Sequence, residues 1–370
     1  MIVIGCGAMG MTTLATLARR GCRVLGVDRF APPHTRGSSH GESRIIREAY
    51  AEGSFYVPLV RRARELWAEL ARETGESLLL ETGGIFWGRP ESPMVAGSIA
   101  TAATWGLAHE ILEPAELRRR FPFFTVPDGM IGLFEKASGV LFPEVCLRAV
   151  GRSARSSGAE ILADVRVLGW EAGDRVVTVR TTQGEFSAGR IVLAAGAWLP
   201  ELLGASPLPL EVHQQTLFWF RARNGALFDS AVCPIYIGEP DEECAFYGFP
   251  ALGGAAGGVK VALHNVRNPV NPETRDPTVR PEDTARMCAV VARYLPGLEP
   301  TPLRAVTCLY TNTPDEHFVI DYLPGTRRVV VASCCSGHGF KFAAAIGELL
   351  ACLATDEVPG IDLTPFRWRE

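Results

Sequence analysis

The sequence has no apolar run of about 18 residues, so a membrane-spanning helix is not expected. It also lacks a basic patch: the formal net charge is -4, and the densest basic stretch, Arg61 to Arg64, is followed closely by glutamates. Nucleic-acid binding would need such a patch. No repeat or low-complexity tract is present. These absences argue against a membrane protein, a nucleic-acid-binding protein and a repeat protein.

None of the ten cysteines belongs to a Cys-x-x-Cys pair, and no histidine spacing indicates zinc. We therefore expect no metal site. Scattered thiols are typical of a reducing compartment, and the apolar start "MIVIGCG" lacks the basic region of a signal peptide. The sequence thus predicts a cytoplasmic protein. Most of its cysteines should be buried, because free cysteine is among the most buried residue types.

What the sequence does contain is enough apolar material for a large core. Of its 370 residues 47% are hydrophobic, and 38 glycines and 26 prolines indicate many turns. This length exceeds the usual size of a single core. We therefore expect two domains.

The clearest motif is a glycine turn near the start. A short apolar run precedes Gly5, Gly7 and Gly10, a helical pattern follows, and a second apolar run ends at Asp28. The first glycine permits a tight turn, the second lets the backbone approach a diphosphate, and the third allows close helix packing. The diphosphate would lie at the helix N-terminus, and Asp28 could accept a hydrogen bond from a ribose. The motif predicts dinucleotide binding and leaves NAD and FAD both open.

Periodicity along the chain predicts a mixed α/β fold. Apolar residues at helical spacing predict a helix over residues 56–74, and a buried strand entering a glycine turn is expected at 329–332. Strand-rich sequence lies between these parts of the chain. Further strands are predicted over residues 78–87, 191–194, 217–220, 245–249 and 259–263.

The sheet that begins at Met1 has to be completed by strands from distant parts of the chain. We therefore expect a discontinuous, Rossmann-like FAD-binding domain and a second, mostly antiparallel β-sheet domain that binds the substrate. The segments expected to form the first domain are 1–80, 140–210 and 310–370. Those expected to form the second are 81–139 and 211–309.

Four segments resemble the family of monomeric sarcosine oxidase and N-methyltryptophan oxidase. They are "GCGAMG" with Asp28, "PPHTRGSSHGESRIIREAY", "YGFPALGG" with "VKVALH", and "TCLYTNTPDEHFVID" with "SGHGFKF". They follow the family's order over nearly the whole chain, and the closing "IDLTPFRW" is similar to the N-methyltryptophan oxidase branch. Two features depart from the family pattern. The strand before Gly5 is short, which is consistent with a natural start upstream, and the segment "GGAAGG" before Lys260 is longer.

The resemblance implies FAD as the cofactor, with a covalent bond from the Cys308 sulfur to the 8α-methyl carbon of the flavin. A buried core cysteine is the alternative. The turn at Gly337 and Gly339 would present the N–H groups of a helix start to the flavin edge, where negative charge accumulates on reduction. The other residues that the resemblance places at the cofactor are Gly5, Gly7, Gly10, Asp28, Arg29, Ser38, Arg44 and Lys341.

The resemblance assigns Arg47 and Lys341 to the substrate carboxylate, a planar fork beside a point charge. Lys260 would activate oxygen at the flavin, and His264 would lie near the substrate amine. On a strand, their spacing of four places both side chains on one face. Arg44 and Tyr310 complete the expected catalytic set. The tyrosines expected to line the substrate cavity are Tyr247, Tyr310 and Tyr236.

Plainer interpretations stand beside these. Arg44 and Arg47 share a face on a helix but point to opposite faces on a strand, and surface ion pairs with Glu42 or Glu48 would contribute little. Lysine is mostly exposed, so Lys341 also fits a solvated helix start. A histidine on an apolar strand, such as His264, is commonly a hydrogen-bonded core residue.

The resemblance implies an FAD-dependent oxidase of secondary amino acids such as sarcosine, with O2 as acceptor and hydrogen peroxide as product. Its partners would be the amine and oxygen only, and the enzyme would be a monomer. N-methyl-L-tryptophan or a cyclic secondary amino acid is the alternative substrate. An NAD-dependent dehydrogenase would leave Cys308 and "SGHGFKF" unexplained. A non-catalytic flavin-binding protein would consume no oxygen with any amine.

Overall fold

The structure is a computed structural model that describes residues 1–204, 208–241 and 244–368. Its strands, in chain order, are β1 Ile2–Ile4, β2 Leu25–Val27, β3 Arg44–Ile46, β4 Leu79–Glu81, β5 Gly84–Gly88, β6 Glu110–Leu112, β7 Ile131–Glu135, β8 Gly139–Leu141, β9 Glu160–Leu162, β10 Val167–Ala172, β11 Val177–Thr181, β12 Gly184–Ala188, β13 Ile191–Leu193, β14 Glu211–Ala222, β15 Ile235–Asp241, β16 Cys244–Gly248, β17 Val259–Leu263, β18 Leu298–Asn312, β19 Val319–Tyr322 and β20 Val329–Ser333. Its α-helices are α1 Ala8–Arg19, α2 Val57–Thr74, α3 Pro93–Trp105, α4 Pro114–Arg120, α5 Pro143–Ser156, α6 Leu199–Leu203, α7 Gly254–Gly257, α8 Pro281–Tyr294 and α9 Ala343–Thr355.

A six-stranded sheet contains the first strand of the chain, in the order β19-β20-β13-β1-β2-β9. Ile2 pairs in parallel with Ile191 on one side and with Leu25 on the other. All neighbours in this sheet are parallel except β19 and β20. Parallel neighbours need long crossovers, and here the strands come from the start, middle and end of the chain. The predicted mixed α/β fold with a discontinuous dinucleotide-binding sheet is therefore confirmed.

Helices cover one face of this sheet and a small sheet covers the other. The apolar sides of α1, α2, α5 and α9 form one buried cluster with the sheet. Helices α1 and α9 approach closely at Gly347, where a Cβ atom would lie 2.6 Å from Thr12. The Thr12 hydroxyl donates to the carbonyl oxygen of Ala343 at 2.8 Å. On the opposite face, valines of the antiparallel sheet β10-β11-β12 pack against β1.

An eight-stranded sheet forms the second large layer, in the order β18-β14-β17-β16-β15-β5-β7-β6. Its neighbours are antiparallel except β15 and β5. Strand β14 lies between β18 and β17, so that Gln215 pairs with Cys308 and Trp219 pairs with Lys260. A small antiparallel sheet, β3-β8-β4, lies between strands of the two large sheets along the chain. This arrangement places β18 and β17 on either side of β14.

Some boundaries differ from the sequence prediction. The strand expected over residues 78–87 is two strands in different sheets, β4 and β5, because the chain turns at Gly83 with a φ of 72°. Helices α3 and α4 were not predicted. The division into domains remains a prediction: β18 crosses its boundary at 310. Residues 205–207, 242–243 and 369–370 of the expected domains lie outside the described residues.

Within the described ranges, no helix is long and apolar enough to cross a membrane. The same residues contain no group of three or more histidine, cysteine or acidic side chains that could hold a metal ion. All ten cysteines are free thiols.

Candidate active site

A long cavity is lined by both large sheets. The carboxyl ends of the parallel strands β1, β2, β13 and β20 line one part of it, and residues of β14, β16 and β18 line another. Ligands of doubly wound sheets bind at such strand ends. Of the site residues predicted from the sequence, those that line the cavity are Gly5, Gly7, Asp28, Arg29, Ser38, Arg44, Arg47, Tyr247, His264, Cys308, Tyr310, Gly337, Gly339 and Lys341.

The glycine turn has the geometry that its sequence indicates. Gly5 has a φ of 89°, and a Cβ atom there would lie 2.6 Å from the carbonyl oxygen of Ala194. At Gly10 a Cβ atom would lie 1.7 Å from the carbonyl oxygen of Gly5, so only glycine allows α1 to pack here. Gly10 therefore does not line the cavity but allows α1 to pack against the turn. At Gly7 the nearest atom to such a Cβ would be 3.7 Å away, on Ser39, which leaves room for a ligand above the backbone.

Asp28 follows β2 and lies beside the glycine turn. Its carboxylate accepts hydrogen bonds from the backbone N–H of Cys6 at 2.6 Å and of Phe30 at 2.8 Å. Arg29 also lines this part of the cavity, where it forms an ion pair with Glu273. These contacts hold the carboxylate at the end of the strand, where a ribose hydroxyl could reach it.

Cys308, Ser38 and Arg44 meet near the middle of the cavity wall. The Cys308 side chain is 1% exposed, and its sulfur lies 3.9 Å from the Arg44 guanidinium. Burial raises the pKa of the Cys308 thiol, and the Arg44 charge opposes this shift. Arg44 itself is held by the carbonyl oxygens of Ser38 and His40, each at 2.6 Å. The guanidinium is the nearest group that could stabilise a thiolate at Cys308.

Arg47 and Lys341 lie together at the far part of the cavity. The Arg47 guanidinium is 2.7 Å from the Glu52 carboxylate and donates to the carbonyl oxygen of Ala49 at 2.7 Å. The Lys341 ammonium donates to the carbonyl oxygen of His338 at 2.7 Å. Both cations are buried, which rules out the solvated lysine that the sequence left open. The structure therefore places two cations and one carboxylate at this end.

The ionisable groups in this cluster shift one another's pKa values. Burial lowers the pKa of Lys341 to about 7, although the Glu52 carboxylate opposes this. Burial would raise the pKa of Glu52, but Arg47, His338 and Lys341 together lower it to about 2. Burial also lowers the pKa of His338 to about 3. Near neutral pH the Glu52 carboxylate is therefore ionised and the His338 imidazole is neutral, and the pKa of Lys341 lies well below that of a free lysine.

Tyr247, His264 and Tyr310 form an aromatic wall beside this cluster. The His264 ring centroid lies 6.2 Å from that of Tyr247 and 6.2 Å from that of Tyr310. Burial lowers the pKa of His264. Gly337 has a φ of 74°, and a Cβ atom there would lie 2.6 Å from the Tyr310 ring. Only glycine at position 337 therefore lets the backbone turn pack this closely against the Tyr310 ring. Tyr236, in contrast, is buried against Phe124 in a separate aromatic core, so its expected place at the cavity was wrong.

Lys260 is not among the residues that line the cavity, and it is 2% exposed. Its ammonium donates to the carbonyl oxygen of Gly41 at 2.7 Å and to the carbonyl oxygen of Ser43 at 3.0 Å. Burial lowers the pKa of Lys260 well below its usual value, and Arg44 lowers it further. The hydrogen-bond acceptors around the ammonium favour its charged form. Lys260 and Ala262 alternate along β17 and Tyr247 pairs with Ala262, so these three side chains share a face, whereas His264 follows the end of the strand.

Arg44 and Arg47 lie in or next to a strand rather than on a helix, and their side chains point to different parts of the site. Arg44 lies in β3 and Arg47 follows its end, and their side chains reach different neighbours, Cys308 and Glu52. Neither of the ion pairs considered for these arginines is formed. Glu42 pairs with Arg304 and Glu48 pairs with Arg61 instead.

Sequence reasoning missed several residues of the far cluster, namely Tyr50, Glu52 and His338. No simple spacing links Glu52 to Arg47. The Tyr50 hydroxyl hydrogen-bonds to the His338 ring at 2.6 Å, and His338 lies inside the motif "SGHGFKF". One available signal was composition: the 37 basic residues include only three lysines, Lys136, Lys260 and Lys341. Two of these three are buried at the site.

Comparisons with known proteins agree with this arrangement. Residues 1–353 match the family model described as DAO, FAD dependent oxidoreductase. Monomeric sarcosine oxidase of Streptomyces avermitilis is 42% identical over 356 residues, which cover 96% of this chain and 93% of that protein. N-methyl-L-tryptophan oxidase of Citrobacter koseri is 36% identical over 369 residues, which cover 99% of this chain and 97% of that protein. The open form of NikD, an amino acid oxidase, has the same fold, with a TM-score of 0.88, 23% identity and coverage of 99% of this chain and 96% of that one.

The sheet order and the cavity at the strand ends are typical of a dinucleotide-binding protein. The chain belongs to the FAD dependent oxidoreductase family, within its group of monomeric sarcosine oxidases and N-methyl-L-tryptophan oxidases. The cofactor is therefore FAD, and the NAD alternative falls away.

The residues present fit this cofactor. The space above Gly7 is open, and the Asp28 carboxylate is held at the cavity edge. The buried hydroxyl of Thr311 lines the cavity and has no hydrogen-bond partner within the described part of the chain. A buried hydroxyl without a partner is costly. A polar ligand group in the cavity would satisfy it.

Proposed function

We propose that this enzyme oxidises secondary amino acids such as sarcosine, with O2 as the final acceptor. The products would be an aldehyde, the primary amino acid and hydrogen peroxide. FAD, when bound, takes two electrons from the amine and passes them to oxygen. The observation that carries the proposal is the pair of buried cations, Arg47 and Lys341, at one end of a cavity whose other end fits the dinucleotide. The names of the relatives support the same substrate class.

In this proposal Arg47 and Lys341 bind the substrate carboxylate. Arg47 now has Glu52 as its partner at 2.7 Å. The incoming carboxylate would take over this contact, since both groups present the same acceptor oxygens to the guanidinium fork. The wall of Tyr247, His264 and Tyr310 would exclude water around the amine. Burial favours the neutral form of His264, so its ring can accept or donate a hydrogen bond there without adding charge.

Lys260 and Arg44 would act on the oxygen side. Electron transfer to O2 creates negative charge in a buried site, and a fixed cation stabilises that charge without reorganisation. Lys260 is our candidate for this cation. The hydrogen bonds from its ammonium to Gly41 and Ser43 hold it in one place.

We also propose that Cys308 carries the flavin covalently. The thiol lines the cavity, and Arg44 lies 3.9 Å from its sulfur. The raised pKa of the buried thiol means that attachment depends on this neighbouring charge. We expect denatured wild-type protein to keep its flavin fluorescence after acid treatment, and Cys308→Ala to lose it. A wild-type flavin that washes out on denaturation would contradict covalent attachment and leave non-covalent FAD intact.

Two further features belong to the proposal. The FAD-binding part would comprise residues 1–80, 140–210 and 310–370, and the substrate part 81–139 and 211–309. The enzyme would act as a monomer, as the name of its sarcosine oxidase relatives suggests. Its scattered cysteines favour the cytoplasm.

Peroxide release from a panel of amines tests the function directly. The panel contains sarcosine, N-methyl-L-tryptophan, L-proline and dimethylamine, and peroxide is measured with and without catalase. We expect turnover with at least one secondary amino acid and little with dimethylamine, which has no carboxylate. Sarcosine and N-methyl-L-tryptophan rates distinguish the two branches of the family. A flavin-loaded enzyme that consumes no oxygen with any secondary amino acid would refute the proposal.

A further inference from the structure

The segment between residues 37 and 52 contributes both arginines of the site and is held at two places by carboxylates. Before β3, the Glu144 carboxylate accepts hydrogen bonds from the backbone N–H of Gly41 at 2.6 Å and of Glu42 at 3.1 Å. After β3, the Glu135 carboxylate accepts from the N–H of Glu48 at 3.1 Å and of Ala49 at 3.0 Å. The carbonyl oxygen of Gly41 accepts a hydrogen bond from Lys260, and that of Ala49 accepts one from Arg47.

Glu135 is buried, with 2% of its surface exposed. It forms no ion pair with any lysine or arginine in the described part of the chain. A buried carboxylate is costly unless hydrogen bonds stabilise its charge, and here the Ser138 hydroxyl donates in addition to the two backbone groups. The carbonyl oxygen of Ala49 in turn accepts from Arg47 at 2.7 Å. Glu135, at the end of β7, therefore holds Ala49 through its N–H, and the carbonyl oxygen of the same residue holds Arg47.

Glu144 lies in the first turn of α5, where a negative charge is favoured. It fixes Gly41, whose carbonyl oxygen accepts from the Lys260 ammonium at 2.7 Å. Gly41 has a φ of 97°, and a Cβ atom there would lie 2.6 Å from Leu217, so the loop has little freedom to shift. Glu144 is thus connected to Lys260 through one residue, as Glu135 is connected to Arg47.

We infer that Glu135 and Glu144 are positioning residues with separate effects. Glu135 keeps Arg47 in place for the substrate carboxylate, and Glu144 keeps Lys260 in place for the reaction with oxygen. The inference rests on the proposed function for the meaning of the two half-reactions. Its physical basis is that small displacements of a positioned group cause large rate losses.

The matched variants Glu135→Gln and Glu144→Gln test this, each as the control for the other. Glutamine keeps the length but replaces one acceptor oxygen by an N–H donor, which repels the backbone N–H groups. We expect Glu135→Gln to weaken acetate binding to the holoenzyme, read from the flavin spectrum, by about tenfold, with reoxidation unchanged. Glu144→Gln should slow reoxidation by about tenfold, with acetate affinity unchanged.

Reoxidation is measured by stopped flow after reduction with dithionite, so neither readout needs an amine substrate. Failure of the amine panel would therefore refute the proposed function without touching this inference. If both variants change both readouts equally, or neither variant changes either, the inference is overturned. Should Glu135→Gln not fold, Glu135→Asp, which shortens the reach but keeps the charge, takes its place with the same expected split.

Hydrogen exchange of the holoenzyme gives a further readout. Glu144→Gln should accelerate amide exchange at residues 41–42 only, and Glu135→Gln at residues 48–49 only. Exchange that accelerates evenly over residues 37–52 would indicate a general loosening and would also overturn separate roles.

Discussion

The two pairs of cations in the site are held in different ways. Arg44 and Lys260, near Cys308, donate to backbone carbonyl oxygens. Arg47, at the far end, forms an ion pair with the Glu52 carboxylate, and Lys341 lies close enough to Glu52 for each to shift the pKa of the other. Arg47 and Lys341 also donate to backbone carbonyl oxygens, but they have in addition a charged side-chain partner, the Glu52 carboxylate.

This difference teaches how the same charge can serve two purposes. Carbonyl oxygens cannot leave and do not cancel the charge, so the positive field near Cys308 persists whatever ligand is bound. A side-chain carboxylate cancels much of the charge and can be replaced by another carboxylate. The first arrangement suits stabilisation of charge that develops during reaction. The second suits recognition of an anion that arrives and departs.

The largest effect should come from removing the exchangeable cation. Arg47→Ala removes the buried partner of the half-buried Glu52 carboxylate and leaves that carboxylate facing the substrate carboxylate, and loss of such a partner typically costs ~2–5 kcal/mol. We expect kcat/KM for sarcosine to fall by about two to three orders of magnitude, measured by oxygen uptake. Arg61→Ala, an exposed arginine, is the control. Equal rates with sarcosine and dimethylamine in the wild type would contradict carboxylate recognition at Arg47.

Removing the fixed cation should affect only the second half-reaction. Lys260→Met should leave anaerobic flavin reduction largely intact and slow reoxidation by at least ~100-fold, because a preorganised charge contributes ~3–4 kcal/mol to such steps. Stopped-flow spectroscopy separates the two steps. Lys136→Met, the exposed lysine, is the control. Unchanged reoxidation would mean that another group, such as Arg44 or Lys341, supplies the charge.

A smaller effect is expected when the exchangeable partner is neutralised. Glu52→Gln removes the carboxylate that competes for Arg47, so acetate and other carboxylates should bind about tenfold more tightly, since a hydrogen bond to a charged group contributes ~1.5–3 kcal/mol. Titration of the flavin spectrum measures the affinity. Glu48→Gln, whose carboxylate pairs with Arg61 instead, should bind acetate as the wild type does. Weaker binding in Glu52→Gln would show that Glu52 orients Arg47 rather than competing with its ligand.

The smallest effect concerns pH. The pKa of Lys341 is about 7, so the ammonium is charged below that pH and loses its proton as the pH rises through it. Acetate affinity should therefore decrease by about threefold between pH 6 and pH 8. Acetate stays ionised throughout this range, which isolates the titration of the protein. In Lys341→Met the decrease should disappear. A wild-type affinity that is flat across this range would show that Lys341 does not contact the carboxylate.

The dinucleotide end of the site could be predicted because its determinants are local. Gly5, Gly7, Gly10 and Asp28 lie within one strand–turn–helix–strand unit, in which Gly10 packs against the carbonyl oxygen of Gly5 and Asp28 accepts from the N–H of Cys6. The far end could not be predicted in the same way. Glu52, Tyr50 and His338 come together through long-range packing, and resemblance to a family pointed only to Arg47 and Lys341 there.

By itself the sequence determined the mixed α/β fold, the glycine turn and the family with its FAD cofactor, because periodicity and short motifs encode these locally. Only the tertiary structure decided which charges meet. It brought Arg44 beside Cys308, gave Arg47 the partner Glu52, and placed the Lys260 ammonium against the carbonyl oxygen of Gly41. The physical reason is that burial and electrostatic coupling depend on distance in space. Such distances are set by β-sheet register and helix packing across segments far apart in the chain.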